Sequence, residues 1–217
     1  LDPRTNETLA APFQPPLTPE TRLDWRTPAV GDGGQAAIAD GGKNLYALAI
    51  EPKPTPHWTA IATVELDEAI VSPLASAGNM LFAVDEASVV TAYELPELER
   101  REQWPLKGPC VWGPVRVGRY VMLATGAGEL MCFGEAGKRD WQVSLADALP
   151  VGAAALDDGR LAVATAGGAL LFMNSADGRE TGRIDFERPL GAAFVPMGRE
   201  VLGLGRDGSL YRVEVPQ

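Results

Sequence analysis

The sequence predicts an all-β fold, a five-bladed β-propeller of four-stranded antiparallel blades, and three observations carry this prediction. The first is an internal repeat, since Val71, Val111 and Val151 open similar segments at steps of 40 residues. A period of this size is typical of propeller blades and solenoid units. The second is a high content of turn residues, with 24 Gly and 18 Pro. The third is the alternation of short apolar runs with Gly-containing turns, which indicates antiparallel meanders.

The repeat that begins at Val111 shows the pattern of one blade most clearly. Its predicted strands are residues 114–117, 120–125, 129–133 and 139–143. The two middle strands are almost wholly apolar and lack a clean polar–apolar alternation. Strands that are buried on both faces have this pattern, so each sheet is expected to stack between neighbouring sheets.

The chain is expected to consist of an arm and one domain. Residues 1–20 contain five prolines, which favours an extended arm or linker. Residues 21–217 are assigned to a single propeller, with repeats near 27–66, 71–110, 111–150, 151–190 and 191–217.

The last repeat lacks a fourth strand, and this irregularity predicts how the ring closes. Segment 21–26, which precedes the first repeat, resembles the fourth-strand segment 183–187. We therefore expect 21–26 to pair with the C-terminal strands and complete the last blade. Such a closure would remove the open sheet edges.

Composition excludes several classes of partner. The net charge is −10, and no basic cluster is longer than Arg100-Arg101. Nucleic acid and anionic membranes are therefore disfavoured, because their phosphates require Lys and Arg. No run of 18 apolar residues is present, so no membrane span is expected.

The residue inventory predicts no metal site and no cofactor. Cys110 and Cys132 form no CxxC pair, and His57 is the single histidine. Asp-Gly pairs recur in the turns and could offer carboxylates to calcium. Turn formation is the favoured interpretation, because Asp bonds its own backbone and Gly accepts a positive φ. The pairs begin at Asp32, Asp40, Asp158, Asp177 and Asp207.

The repeats resemble those of the PQQ-like, quinoprotein-type β-propeller superfamily, whose pattern includes Gly-x-Leu-Tyr-Ala-Leu-Asp, a Gly turn and then a Trp. The matching segments are Leu45-Tyr46-Ala47-Leu48 with Trp58, Gly128-Glu129-Leu130 with Trp141, Gly168-Ala169-Leu170 and Gly208-Ser209-Leu210-Tyr211. Enzymes of this superfamily have eight blades, an adjacent pair of cysteines and a set of carboxylate and amide side chains that binds calcium. This chain has no adjacent cysteines, so the resemblance implies a non-catalytic relative. Such relatives act as assembly scaffolds, often outside the cytoplasm.

An enzyme remains an alternative that the residues do not favour. A five-bladed glycoside hydrolase needs two carboxylates close together on the innermost strands. The predicted first strands carry neither Asp nor Glu. A Ser or Cys nucleophile needs a base, and His57 lies in a Pro-rich loop. No catalytic residue is assigned.

The candidate binding residues are Trp112, on a loop entering an innermost strand, and the neighbours His57 and Trp58. The other recurrent tryptophans are expected to pack sheet against sheet. We expect a binding or assembly scaffold that recognises proteins through loops on a propeller face. The alternatives are a lectin-like propeller that binds carbohydrate or a small ligand, and a glycoside hydrolase. The chain starts at Leu1, so a removed leader or anchor and a periplasmic or secreted location are expected.

Overall fold

The computed structural model describes residues 10–17, 23–145, 149–186 and 188–216, and the side chains of all of these except 192–194. Every regular element among these residues is a β-strand, and 19 strands form five antiparallel sheets. The chain divides into two compact units, Leu1–Pro105 and Leu106–Gln217. None of the described residues belongs to a helix that is long and apolar enough to cross a membrane.

The first unit contains two four-stranded sheets, each a meander in chain order. The strands of the first sheet are β1 (Ala29–Val30), β2 (Ala36–Ala39), β3 (Asn44–Glu51) and β4 (His57–Glu65). Those of the second sheet are β5 (Ala75–Ala77), β6 (Met80–Val84), β7 (Val89–Glu94) and β8 (Glu99–Pro105).

The second unit contains three sheets, of which the last has three strands. The third sheet is β9 (Cys110–Val117), β10 (Tyr120–Thr125), β11 (Glu129–Phe133) and β12 (Arg139–Ser144). The fourth is β13 (Pro150–Ala155), β14 (Arg160–Thr165), β15 (Ala169–Asn174) and β16 (Glu180–Asp185). The fifth is β17 (Leu190–Met197), β18 (Glu200–Gly205) and β19 (Leu210–Glu214).

The predicted meander is confirmed most closely in the third sheet, where β10 and β11 have the predicted bounds. The turn between the second and third strands recurs with a residue in the left-handed region. Gly128, Gly168 and Gly208 have φ of 77°, 93° and 85° there, and Ser88 holds the same place with φ of 60°. Glycine is favoured at this position because it has no Cβ to clash with the backbone.

The apolar core lies between successive sheets of each unit. One cluster joins the first and second sheets through residues such as Leu45, Ala47 and Leu81. In the second unit, separate clusters fill the space between the third and fourth sheets and between the fourth and fifth sheets. Middle strands such as β6 and β14 are buried on both faces, as predicted.

The prediction that segment 21–26 pairs with the C-terminal strands is wrong for its described residues. The backbone N–H of Asp24 donates to the Asp40 oxygen at 2.8 Å, and that of Arg26 donates to the Ala39 oxygen at 3.0 Å. The segment is therefore attached to the first sheet. The approach is close enough that a Cβ on Gly41 would lie 2.2 Å from the Asp24 oxygen.

Aromatic packing explains this different partner. The Trp25 ring lies 6.3 Å from the Tyr46 ring of β3, and Phe13 lies 5.2 Å from Tyr46 and 6.4 Å from Trp25. Centroid separations of this size are typical of attractive aromatic pairs. The three rings form one aromatic cluster, and this cluster holds the segment against β3.

The described part of the proline-rich arm also contacts the first sheet. The Ala11 N–H donates to the Pro56 oxygen at 2.8 Å, and the Trp58 N–H donates to the Ala11 oxygen at 2.9 Å. Ala11 therefore forms an isolated parallel bridge with His57 at the start of β4. The division into an arm at 1–20 and a single propeller domain at 21–217 stays a prediction.

Candidate functional site

The Trp112 segment forms an irregular stretch of β9. Its register against β10 shifts between the pairs Val115↔Met122 and Trp112↔Ala124. The irregularity falls at Gly113, whose φ is +78° and where a Cβ would lie 2.5 Å from the Met122 oxygen. Only glycine fits this combination of left-handed backbone and close approach. The bulge sets the direction of the residues on either side of it.

The structure corrects the expectation that Trp112 lies on a loop. Trp112 is in a strand, and its half-buried ring packs against the apolar cluster between the third and fourth sheets. The neighbouring Val111 is 48% exposed. The exposed surface of this segment is therefore formed by Val111 and by the uncovered part of the Trp112 side chain.

Neither cysteine is arranged for nucleophilic chemistry or for a disulfide. Both are free thiols, and Cys132 is buried. The Cys110 Sγ lies 3.4 Å from the Trp112 carbonyl oxygen. Burial raises the pKa of the Cys110 thiol to about 11 and also raises that of Cys132. Both thiols are therefore protonated at neutral pH, and a thiol is a poor nucleophile in that form.

His57 and Trp58 lie together in the first unit, whereas Trp112 belongs to the second. His57 and Trp58 are the first two residues of strand β4 and are half-buried. The expectation that they lie in a loop is therefore corrected as well. The His57 Nδ1 is 2.9 Å from the Thr55 oxygen, and its Nε2 is 3.9 Å from Glu51. The backbone of Trp58 bonds the arm at Ala11. These two residues thus form part of the junction between the arm and the first sheet.

An acidic cleft in the first unit was not predicted. Its volume is about 330 Å³, and it lies where the end of β4 meets strands β7 and β8. Four carboxylates and a single cation line it: Glu65, Asp67, Glu68, Asp85 and Arg100. The dipeptides Asp67-Glu68 and Asp85-Glu86 are visible in the sequence, but only the fold brings them to one cleft.

The charges of this cleft interact with one another. Arg100 approaches Asp67 at 3.6 Å. A hydrogen bond with Glu86 raises the pKa of the Glu68 carboxyl, which means that these two acids repel each other when both are ionised. Burial raises the pKa of the Tyr93 hydroxyl at the cleft wall. The cleft therefore presents negative potential and is suited to cationic groups.

The Asp-Gly pairs act as turns, as predicted. At four of the five positions, the Asp carboxylate accepts a hydrogen bond from the backbone N–H two residues later, at distances between 2.8 and 3.1 Å. These positions are Asp40, Asp158, Asp177 and Asp207. A carboxylate that is occupied by its own turn has a structural role.

Among the described residues, no group of three or more His, Cys, Asp or Glu side chains could hold a metal ion. The first strand of each sheet carries no Asp or Glu, the residue types that a glycoside hydrolase would need there as its acid and base.

The family model described as "Outer membrane protein assembly factor BamB", a PQQ-repeat model, matches residues 103–181 and 126–215. Together the two matches cover more than half of the chain. The resemblance to PQQ-like propellers is thus confirmed. No curated protein matches the chain in sequence.

Solved structures show the same fold. The chain is similar to BBS1N in its complex with ARL6DN, with a TM-score of 0.63 and 15% identity over 93% of this chain and 68% of that one. The similarity to the C-terminal WD40 domain of Sif2 has a TM-score of 0.64 and 16% identity, and it covers 89% of this chain and 59% of that one. The similarity to Sqt1 of Saccharomyces cerevisiae has a TM-score of 0.68 and 12% identity, and it covers 88% of this chain and 60% of that one.

These likenesses establish an all-β fold of the β-propeller and WD40 type. The chain spans about three fifths of the length of the Sif2 domain and of Sqt1. The number of five blades stays a prediction.

Proposed function

Because the chain belongs to the family described as outer membrane protein assembly factor BamB, we propose that it is a non-catalytic scaffold that binds protein partners during assembly. The observation that carries this proposal is the stack of regular sheets whose polar side chains serve turns and ion pairs. The binding surfaces are assigned to the segment around Val111 and Trp112, to the junction at His57 and Trp58, and to the acidic cleft of the first unit.

The electrostatics support a protein partner with basic segments. The net charge of the chain is −10, and the acidic cleft concentrates four carboxylates around one cation. Complementary charge speeds encounter and sets orientation more than it adds affinity. A half-buried tryptophan beside an exposed valine supplies the apolar contact that interfaces concentrate at their centre.

The proposed location is outside the cytoplasm. The family's description names assembly of outer membrane proteins, and this favours a periplasmic or secreted location. A fusion to alkaline phosphatase, which is active only after export, tests the location when it is made with the natural gene. An inactive fusion would place the protein in the cytoplasm.

A reconstituted complex tests the scaffold proposal. The full chain is used to isolate partners, each candidate is purified, and its Kd is measured in solution. Val111→Glu should weaken the complex about tenfold or more, because it places a charge in an apolar contact. Glu135→Gln, at an exposed turn, is the matched surface control and should leave Kd unchanged.

The competing functions are tested on the same protein. Binding on a glycan array without any reconstituted protein complex would favour a lectin-like propeller and refute the scaffold. Turnover of aryl glycosides would refute it in favour of a hydrolase. Thermal denaturation of both variants shows whether a loss of binding reflects unfolding.

A further inference from the structure

The hairpin formed by β3 and β4 is longer than its counterparts in the other sheets. β3 has eight residues, whereas the third strands of the other four sheets have five or six. The pairing of β2 with β3 reaches only to Ala36↔Leu48, but β3 and β4 continue to pair through Glu51↔His57. The hairpin therefore extends beyond β2, and residues 52–56 of its turn are all exposed.

The N-terminal arm is bound to this extension. Ala11 forms its parallel bridge with His57 through two backbone hydrogen bonds, one to the Pro56 oxygen at 2.8 Å and one from the Trp58 N–H at 2.9 Å. Two isolated bridges occur in the described part of the chain, and only this one involves the fourth strand of a sheet. The added length of the hairpin thus supplies backbone groups that hold a further polypeptide segment.

Side chains two and four positions later in the arm make the apolar contacts. The Phe13 ring lies 5.2 Å from the Tyr46 ring, and Pro15 is buried. Gln14, between them, is exposed. Contact at every second residue is typical of an extended segment. The bound arm therefore shows a pattern of a bridging residue, an aromatic residue two positions later and a proline after two more.

The surface that receives the Phe13 ring is aromatic and apolar. Leu45 and Ala47 belong to the core between the first and second sheets, so the alternation of β3 places Tyr46 and Ile50 on the opposite face. Tyr46 is 6% exposed with the arm in place, and Ile50 is 47% exposed. Release of the arm would uncover the Tyr46 ring. Aromatic surfaces of this kind bind extended segments that contain proline.

The arm is held by few groups and carries no charge. Two backbone hydrogen bonds, one aromatic ring and one buried proline attach its described residues to the first sheet. Residues 10–17 include no Asp, Glu, Lys or Arg. Small peripheral units open at a lower free energy than the whole fold. The arm can therefore leave while the sheet stays folded, and its contacts select a segment by shape and apolar packing.

We propose that the extended hairpin is a recognition groove for an uncharged, extended segment of a partner protein with this bridging–aromatic–proline pattern, and that the arm is its built-in competitor. The partner's segment binds by displacing the arm, takes over the backbone bonds beside His57 and packs its aromatic ring on Tyr46. This inference rests on the proposed scaffold function, which assigns the junction at His57 and Trp58 to partner binding. It adds the kind of segment that binds and a means of regulation.

A peptide with the sequence of residues 10–17 is a direct probe, because it has the chemistry of the bound arm. It is acetylated, amidated and labelled with fluorescein, and its binding to the full chain is followed by fluorescence anisotropy. Phe13→Ala in the chain weakens the tethered competitor and alters no residue of the groove. This variant should bind the peptide about tenfold more tightly than the unaltered chain does.

Gln14→Ala in the chain is the matched control, since Gln14 lies in the same arm but is exposed. It should bind the peptide as the unaltered chain does. Equal affinity of the unaltered chain and the Phe13→Ala chain would show that the arm does not compete, and it would overturn the proposal. Far-ultraviolet circular dichroism checks that both variants are folded.

Changes in the peptide test the pattern without any risk of unfolding the protein. A peptide with Phe13→Ala should bind the Phe13→Ala chain about tenfold more weakly than the unaltered peptide, because it lacks the ring that packs on Tyr46. A peptide with Ala11→Pro should also bind more weakly, because it lacks the N–H that bonds the Pro56 oxygen. A peptide with Gln14→Ala should bind normally. Equal binding by all the peptides would overturn the proposal.

Photo-crosslinking locates the bound peptide. A peptide with benzoylphenylalanine at position 13 should attach to residues 44–58 of the Phe13→Ala chain, as identified by mass spectrometry. Attachment elsewhere would overturn the proposal. Light scattering identifies the source of the segment. A dimer of the unaltered chain that disappears with Phe13→Ala would mean that the arm of a second copy fills the groove, and this result would overturn the assignment to a partner protein.

The reconstituted partner complex separates this inference from the scaffold proposal. The Phe13→Ala chain should bind the partner more tightly than the unaltered chain, and the unlabelled peptide should compete with the partner. A complex that depends on Val111 but responds neither to Phe13→Ala nor to the peptide would refute the groove and leave the scaffold function standing.

Discussion

At the scale of single residues, Trp141 shows how one side chain joins two sheets. It belongs to β12 of the third sheet and is 7% exposed, and its indole N–H donates to the Ser175 oxygen of the fourth sheet's turn at 2.8 Å. The same ring lies so close to Gly178 that a Cβ there would be 2.6 Å away. The predicted packing of a recurrent tryptophan between sheets is therefore confirmed at this position.

Replacing Trp141→Phe should destabilise the second unit. The phenyl ring keeps most of the packing but leaves the Ser175 carbonyl without its donor, which costs about 1–2 kcal/mol. Equilibrium unfolding in urea measures the change. Trp25→Phe removes the same atoms at a ring that is 37% exposed, and it should cost less. Equal losses would contradict the role assigned to the indole bond.

A second prediction at this scale concerns Asp207, which precedes β19. The Arg188 guanidinium at 2.5 Å and the Ser209 N–H at 3.0 Å lower the pKa of the Asp207 carboxyl to about 2. The ordinary value is about 3.9. Because the folded pKa is the lower one, the interaction stabilises the fold above about pH 4 and is lost as the pH falls toward 2.

Carbon-detected NMR of the Asp207 carboxyl measures this directly. Arg188→Ala should raise the midpoint toward the ordinary value, because the largest cause of the shift is removed. Arg179→Ala serves as control, since Arg179 pairs with Asp177 at 3.4 Å. A midpoint that stays near 2 without Arg188 would show that the turn alone lowers the pKa.

At the scale of elements, the N-terminal segments act as a cover for the first sheet. Ala11 bonds the start of β4, and Asp24 and Arg26 bond the chain at the end of β2. The rings of Phe13 and Trp25 pack against Tyr46 of β3. The aromatic contacts bury apolar surface that the first sheet would otherwise expose.

Removing one ring of this cover should release the arm while leaving the sheet folded. Phe13→Ala should speed amide exchange at Trp58 about tenfold, since losing an aromatic contact of roughly 1.4 kcal/mol favours local opening. Leu17→Ala, at a side chain that is 53% exposed, should leave exchange unchanged. Exchange at Phe82, which is buried in the second sheet, reports global unfolding. A change there would contradict a local effect.

At the scale of the whole molecule, acidity controls solubility. The net charge is −10 and the isoelectric point is about 4.6. Mutual repulsion keeps the chain dispersed at neutral pH, and this repulsion vanishes near the isoelectric point. The exposed side chains of Leu204 and Leu210 in the fifth sheet can then associate with other copies of the chain.

Solubility should therefore pass through a minimum near pH 4.6. Leu210→Ser should increase the amount that stays in solution there, because it removes apolar surface without changing charge. Leu149→Ser, at a loop residue that is 40% exposed, is the matched control and should have little effect. The concentration of protein that stays soluble after centrifugation is measured across a pH series. An equal increase in solubility for both variants would show that Leu210 has no special role.

The sequence by itself determined the strands, the turns and the family. Alternating apolar runs and Gly at positions 128, 168 and 208 are local signals, and local signals suffice because each strand pairs with its neighbour in the chain. The Asp-Gly turns follow from the same short-range chemistry.

Only the tertiary structure decided which segments meet across long distances. The segment around Trp25 resembles a fourth strand, yet the Trp25 ring packs with Tyr46 and Phe13. No local sequence pattern predicts this packing. The acidic cleft likewise gathers residues from several strands. Pairing at an open edge depends on which complementary surface is available, and backbone edges look alike in every sequence. Short-range preferences are therefore readable from the residues, whereas the partner of an edge emerges only when the chain is folded.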